Sequence, residues 1–286
     1  MLERMNSYRA IFISDVHLGT RTAQVDALLD FLKQAEADVV YLVGDIIDGW
    51  RLKKSWHWPQ SHNDLVQKLL RKARKGARIV LVPGNHDEFL RDFLESHLGG
   101  VEIADSVIHE GFDGRRYLVI HGDQFDAVVM HARWLALAGD WAYEAALFLN
   151  SRINIVRRRL GLTYWSFSAW AKHSVKKAVC FISAFEETLS GEARRRNADG
   201  VICGHIHHAA IREIGGIRYM NCGDWVESAT ALVERRDGVF EIIHWGARPS
   251  QPARVVASAT ASAMEETLQP FKEADATRRP EPAGAA

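Results

Sequence analysis

The chain has little of what would mark a secreted, disulfide-built or membrane-spanning protein. Its three cysteines, Cys180, Cys203 and Cys222, stand far apart with no Cys-x-x-Cys pair. So sparse and odd a set argues against a disulfide framework and for a reducing compartment. No window offers the ~18 uncharged apolar residues that a helix needs to cross a bilayer, so no spanning helix is expected. The first residues set Glu3, Arg4 and Arg9 around a very short apolar segment, and no secretory leader is expected either. Net charge is also missing, because 36 basic and 36 acidic side chains cancel. That removes the overall positive field of a general nucleic-acid binder, and no nucleic-acid partner is expected. These absences together point to a protein made and kept in the cytoplasm.

What the chain does have is a set of short apolar runs that end in polar clusters. With 286 residues and 47% hydrophobic content, one large α/β domain with an appendage is within reach. The run from Tyr8 to Ser14 reads as a buried strand, and Asp15-Val16-His17 follows it. If extended, residues i and i+2 point to one side, so both side chains can reach one ion. Val39 to Val43 is a second strand, ending in Gly44-Asp45-Ile46-Ile47-Asp48. Asp45 is placed to be shared between two ions, and Asp48 to orient a ligand imidazole or a water. Arg78 to Val82 leads into Pro83-Gly84-Asn85-His86-Asp87, Tyr117 to Ile120 into His121-Gly122-Asp123, and Gly200 to Cys203 into Gly204-His205-Ile206-His207.

Each cluster alone has a plain alternative. Gly-Asp after a strand is a common turn, Pro-Gly opens a type II turn, and a histidine at a strand end is more often a satisfied side chain than a ligand. Five such strands delivering their clusters to the carboxyl ends, where α/β sheets place their sites, are hard to attribute to turns alone. Asp15, His17, Asp45, Asn85, His121, His205 and His207 supply seven oxygen and nitrogen donors and no thiolate. One ion rarely needs so many, whereas two ions sharing a carboxylate do, and such a pair suits in-line displacement at phosphorus. The donor set suits Mn²⁺, with Fe or Zn²⁺ as alternatives. His208 has no assigned role.

In order and spacing these five motifs resemble the calcineurin-like metallophosphoesterases, over residues 9 to about 245. The resemblance implies a four-layer α/β/β/α sandwich with a dinuclear centre, Mn²⁺ being the usual metal. It implies one ion on Asp15, His17, Asp45 and His207, and the other on Asp45, Asn85, His121 and His205. His86, steadied by Asp87, would act at the leaving group. Within that superfamily the chain most resembles the UDP-2,3-diacylglucosamine diphosphatases of lipid A synthesis, in chain size and in a basic, aromatic helical insertion that follows the His-Gly-Asp motif. It departs from the best-known members of that subgroup at Gly84-Asn85-His86-Asp87, where they read Gly-Asn-Arg-Asp.

Between the core motifs, Val25, Leu28, Leu29, Leu32 and Ala35 recur at helical spacing, as do Leu65, Val66, Leu69, Leu70 and Ala73. Strand, helix, strand, helix, strand implies parallel pairing. Gly215-Gly216 and Asp237-Gly238 mark two hairpins. The expected domains are a core of 1–125 and 191–246, a helical cap insertion of 126–190, and a mobile tail of 247–286. From Ala145 to Phe185 there is no acidic residue, while Arg152, Arg157, Arg158, Arg159, Lys172, Lys176 and Lys177 alternate with Trp and Phe. That composition suits a merely solvated face, or a cap that binds an anionic, partly apolar substrate or rests on an anionic membrane surface; nucleic acid ranks lower because the stretch is apolar as well as basic.

The expected reaction is hydrolysis of the pyrophosphate in a lipid-linked UDP-sugar, giving UMP and lipid X. Trp50, Arg51, Asp123, Asp126, Ser174, Lys176 and Lys177 are the candidate substrate contacts, and His86, Asp87 and Asp48 the candidate catalytic group. The same chemistry would serve a cytosolic phosphodiesterase or nucleotide phosphatase. A reading of another class is a non-catalytic membrane-docking scaffold. No protein partner is expected from the sequence.

Overall fold

Two sheets packed face to face, with helices outside each, position the polar clusters. The structure is a computed structural model that describes residues 6–126 and 168–245, with side chains of the second stretch described from 181 onward. The apolar run Asn6–Ile13 forms β1, and parallel β2 (Ala35–Val43) and β3 (Arg78–Val82) follow it through α1 (Val25–Gln34) and α3 (Gln60–Arg74). A short α2 (Gly49–Lys54) lies between them. β4 (His97–Leu98) and β5 (Val101–Ile103) extend one edge of this sheet.

The second sheet begins with β6 (Val107–Glu110), antiparallel to β7 (Arg116–Val119), and continues with β8 (Gly200–Cys203), β9 (Ala210–Ile214) and β10 (Ile217–Asn221). The last hairpin, β11 (Thr230–Arg235) and β12 (Phe240–His244), returns to the first sheet beside β1. The orders are β12-β11-β1-β2-β3-β5-β4 and β6-β7-β8-β10-β9.

Period-two alternation decides which side chain faces which layer. Ala10, Phe12, Tyr41, Val43, Val80 and Val82 face the other sheet and meet Tyr117, Val119, Ile202 and Met220. Their neighbours Ile11, Ile13, Val40, Leu42, Ile79 and Leu81 face outward and are covered by Leu28, Phe31 and Leu32 of α1 and Leu65 and Leu69 of α3. The outer face of the second sheet, Leu118, Val201, Cys203 and Tyr219, is covered by Phe185, Leu189 and Ala193 of α4 (Ser168–Arg195). The result is the four-layer α/β/β/α sandwich, with both hairpins at the expected glycines.

Two boundaries differ from the sequence expectation. Ala35 opens β2 rather than closing α1, because its β-region backbone ends the helix. The boundary expected at 190 falls inside α4, which runs on to Arg195 and gives Phe185, Leu189 and Ala193 to the layer covering the second sheet. Of the expected cap, residues 127–167 and the side chains of 168–180 lie outside the described residues, as does the whole of the expected tail 247–286. Among the described residues, no helix is long and apolar enough to cross a membrane.

Candidate metal centre

All five motif loops converge at the carboxyl ends of β1, β2, β3, β7 and β8. The loop after β1 is stapled to the loop after β2 by backbone bonds from Asp15, Val16, His17 and Leu18 to Gly44, Asp45 and Ile46. Asp87, fully buried, fastens the β3 loop to the same place. Its carboxylate accepts from the amides of Gly84 at 2.6 Å, Ile46 at 2.8 Å, and Asp45 and Ile47 at 3.3 Å.

The backbone here is unusual. Eight described non-glycine residues have positive φ, and five of them are Asp15, His17, Asp45, His205 and His207. This left-handed region disfavours L-residues, so its concentration here marks strain held in place by the surrounding bonds. The expected extended backbone of Asp15 and His17 is therefore corrected, since each sits at φ 53°, although both side chains still reach one donor group. Nor do His205 and His207 share a face: each turns to a different cluster.

The structure gathers the donors into three overlapping groups: Asp15, His17 and His207; His17, Asp45 and His86; and Asp45, His121 and His205. Asp45 joins two of the three. Its Oδ2 lies 3.5 Å from His121 Nε2, 3.9 Å from His17 Nε2 and 4.0 Å from His86 Nε2. His207 Nε2 approaches Asp15 Oδ1 to 3.2 Å and His17 Nε2 to 3.4 Å. Two glycines make room. A Cβ on Gly84 would lie 2.3 Å from Asp45 Oδ1, and one on Gly44 would lie 2.2 Å from His121 Nδ1.

Tautomers and orientations are set by outer partners. His121 Nδ1 donates to the Val43 carbonyl at 2.9 Å, which turns Nε2 toward Asp45. Asp48, also the cap of α2, reaches His17 Nδ1 at 3.4 Å and His86 Nδ1 at 3.1 Å. The expectation that Asp87 steadies His86 is corrected accordingly, because the Asp87 carboxylate is occupied by backbone amides and Asp48 stands beside His86 instead.

Asp15 Oδ1, Asn85 Oδ1 and His121 Nε2 are buried and make no hydrogen bond among the described residues. Stranded buried acceptors are costly, so three of them facing one cluster demand a cationic partner. Burial works against charge on both Asp45 and His121. Their pairing nevertheless pushes His121 up to about 10 and holds Asp45 well below the usual carboxylate range. A divalent cation supplies the same neutralisation in place of that proton. The residues present therefore fit a metal centre of hard, oxygen- and imidazole-binding cations.

The candidate substrate contacts divide. Trp50 lies at the rim, 42% exposed, with its ring 4.3 Å from that of His86. Arg51 donates its backbone amide to the capping Asp48 carboxylate at 2.8 Å. Asp123 is held by Arg91, whose Nη2 lies 2.9 Å from both carboxylate oxygens, and Asp126 accepts from His205 Nε2 at 2.7 Å. These two are therefore engaged with protein groups. Ser174, Lys176 and Lys177 lie outside the described side chains. Sequence reasoning missed the turn Cys222-Gly223-Asp224-Trp225, which walls the site: Ser14 Oγ donates to the Gly223 carbonyl and the Trp225 amide to the Asp15 carbonyl. The signal was there, a Gly-Asp following β10 as Gly44-Asp45 follows β2.

Several known proteins resemble this chain. UDP-2,3-diacylglucosamine hydrolase of Aliivibrio fischeri is 24% identical over 252 residues, covering 81% of this chain and 96% of that protein. The enzyme of the same name from Blochmanniella pennsylvanica is 24% identical over 217 residues, covering 71% and 81%. The DNA polymerase II small subunit of Methanothermobacter thermautotrophicus is 28% identical over 170 residues, 47% of this chain, which spans only about a third (34%) of that subunit. A solved E. coli phosphoesterase aligns with 86% of the chain and 96% of its own at 15% identity, TM-score 0.44. A model of the calcineurin-like phosphoesterase family matches residues 8–209. With that span covering all five ligand loops, the chain belongs to the calcineurin-like phosphoesterase family and is a metal-dependent hydrolase of phosphoric esters or anhydrides.

Proposed function

We propose that the protein hydrolyses the pyrophosphate of a UDP-linked, diacylated glucosamine. Water adds across the P–O–P bridge, one phosphorus gaining the hydroxyl and the departing phosphate oxygen the proton, to give UMP and the sugar 1-phosphate. The observation that carries this reading is the near full-length likeness to the Aliivibrio enzyme combined with an aromatic rim at His86.

Asp15, His17, Asp45 and His207 would hold one cation, and Asp45, Asn85, His121 and His205 the second. Bound divalent cations supply positive charge at the phosphoryl oxygens and acidify water. Val43 and Asp48 fix the imidazoles of His121 and His17 so that the ligand geometry is set before substrate arrives. His86 hands a proton to the departing oxygen, its ring oriented by Asp48 on one side and Trp50 on the other. Trp50 offers its exposed face to an apolar or planar part of the substrate. Mn²⁺ is the proposed metal. The enzyme would work in the cytoplasm, its basic, aromatic insertion against the anionic inner face of the membrane.

A non-catalytic scaffold is disfavoured by the stranded Asp15, Asn85 and His121 atoms, which a docking protein has no reason to retain. The test is to purify without chelator, reload with Mn²⁺, Fe²⁺ or Zn²⁺, and compare UDP-2,3-diacylglucosamine with a soluble nucleotide diester. The lipid-linked substrate is expected to be cleaved with the higher kcat/KM, and the protein to bind anionic vesicles. Better cleavage of the soluble diester, with no vesicle binding, would replace this reading by that of a phosphodiesterase for soluble nucleotides.

A further inference from the structure

The end of the seven-stranded sheet opposite the metal-ligating loops carries its own concentration of charge. A cleft of about 400 Å³ opens where α1 and α3 meet the start of β2. Lys33 of α1, Lys68, Arg71 and Lys72 of α3 and Lys75 just past its end line it, opposed by Glu36 and Asp64. Five cations against two anions leave a surplus of three. Glu36 is the second residue of β2, and the metal-ligating loop leaves that strand after Val43. Seven extended residues at ~3.3 Å each put on the order of 23 Å between the two places.

Basic residues in the last turn of a helix often do no more than complement its dipole. Here that covers Lys33, Arg71 and Lys72, but not Lys68, nor the convergence of two helices on one volume. Asp64, four residues before Lys68, already accepts from Gln60 Nε2 at 2.9 Å. Lys72 is only 3% exposed, and its ammonium donates to the Ala35 carbonyl at 2.6 Å with Glu36 at 3.4 Å. An ammonium has three N–H donors, so those two neighbours leave one over. Burial, and then the charge of Lys72, pushes Lys68 below the ordinary lysine value, and burial pushes Lys72 down as well. The cleft thus holds more positive charge than its own acids offset.

We propose that this cleft is a binding site for a small anion bearing two or more phosphate groups, separate from the metal centre. Its volume falls in the range of small-molecule sites, and lysines on two helices can grip different phosphates as point charges. A single phosphate would engage only part of the array.

The probe is methylenediphosphonate, which resists hydrolysis, titrated calorimetrically into the full-length, metal-loaded protein after unbound metal is removed. The unsubstituted protein is expected to bind one equivalent more than Lys68→Ala/Arg71→Ala, or to bind that equivalent at least tenfold more tightly, with an affinity that falls steeply with salt. Both substituted side chains are at the surface or half-buried, so the variant should fold, and its thermal midpoint checks this. Arg236→Ala removes an exposed charge outside the cleft and should change nothing. Equal stoichiometry and affinity in unsubstituted and double-variant proteins would overturn the proposal, as would an equal loss in Arg236→Ala.

Discussion

Two clusters in this molecule each set a buried histidine against a buried carboxylate, and they have opposite character. Between the sheets, His109 Nε2 lies 2.9 Å from Glu234 and its Nδ1 3.2 Å from the Tyr41 hydroxyl. Glu234 also accepts from Arg9 Nε at 3.2 Å and the Phe112 amide at 2.7 Å. The groups of this cluster are matched and none of them has positive φ. At the strand ends, His121 stands beside Asp45 in equal burial, yet its Nε2, Asp15 Oδ1 and Asn85 Oδ1 make no hydrogen bond among the described residues, and five of the candidate ligands lie in the left-handed region. A buried polar network that satisfies itself is structure. One that leaves acceptors aimed at a common point, on strained backbone, is built to receive something.

The largest effect should follow from removing the carboxylate shared by two of the donor groups. Asp45→Ala is expected to abolish turnover and to lower metal content from two equivalents, read by elemental analysis of protein purified without chelator. Full activity would break the comparison, by showing that the strand-end cluster is as structural as the His109 one. Next comes His86, which could serve as a ligand or as a proton donor, being 4.0 Å from Asp45 and 3.1 Å from Asp48. His86→Ala should keep both metals and lose ~10²–10⁴-fold in rate, the span of a general acid's contribution. Loss of metal instead would move His86 into the ligand set.

The comparison also explains what the sequence could and could not disclose. The three parallel strands, both hairpins and the gathering of the motif loops at strand ends were legible, because apolar runs ending in Asp, His or Gly signal locally. The pairing of Asp48 with His86, and of Asp87 with backbone amides, was not. Which of two nearby carboxylates faces an imidazole depends on how the β2 and β3 loops cross, a tertiary matter. The positive φ of Asp15 and His17 was equally hidden, since an extended continuation of β1 is the locally favoured geometry. His109 carried no motif at all, and its partner Glu234 lies 125 residues away. Asp123 looked like a substrate contact only because nothing in Glu88–Phe93 announced that Arg91 would reach it.

The smallest predicted effect sharpens the comparison from the structural side. Glu234→Gln keeps the shape and most of the hydrogen bonds of the core cluster while removing its charge, so it should cost about 1.5–3 kcal/mol, the worth of a hydrogen bond to a charged group. Metal content and kcat should not move, because this cluster lies between the sheets and away from the strand ends. The pH dependence has a definite sign. Burial would raise Glu234, but His109, the Phe112 amide and Arg9 outweigh it and hold its carboxyl below the ordinary 4.5. A depressed folded-state value means the stabilisation is present above 4.5 and is lost as pH falls through the lower folded value. Denaturant melts of the two proteins should therefore differ most above pH 5 and converge in acid. If the gap instead widens below pH 4, Glu234 is not held ionised by its neighbours, and the self-satisfied half of the comparison fails.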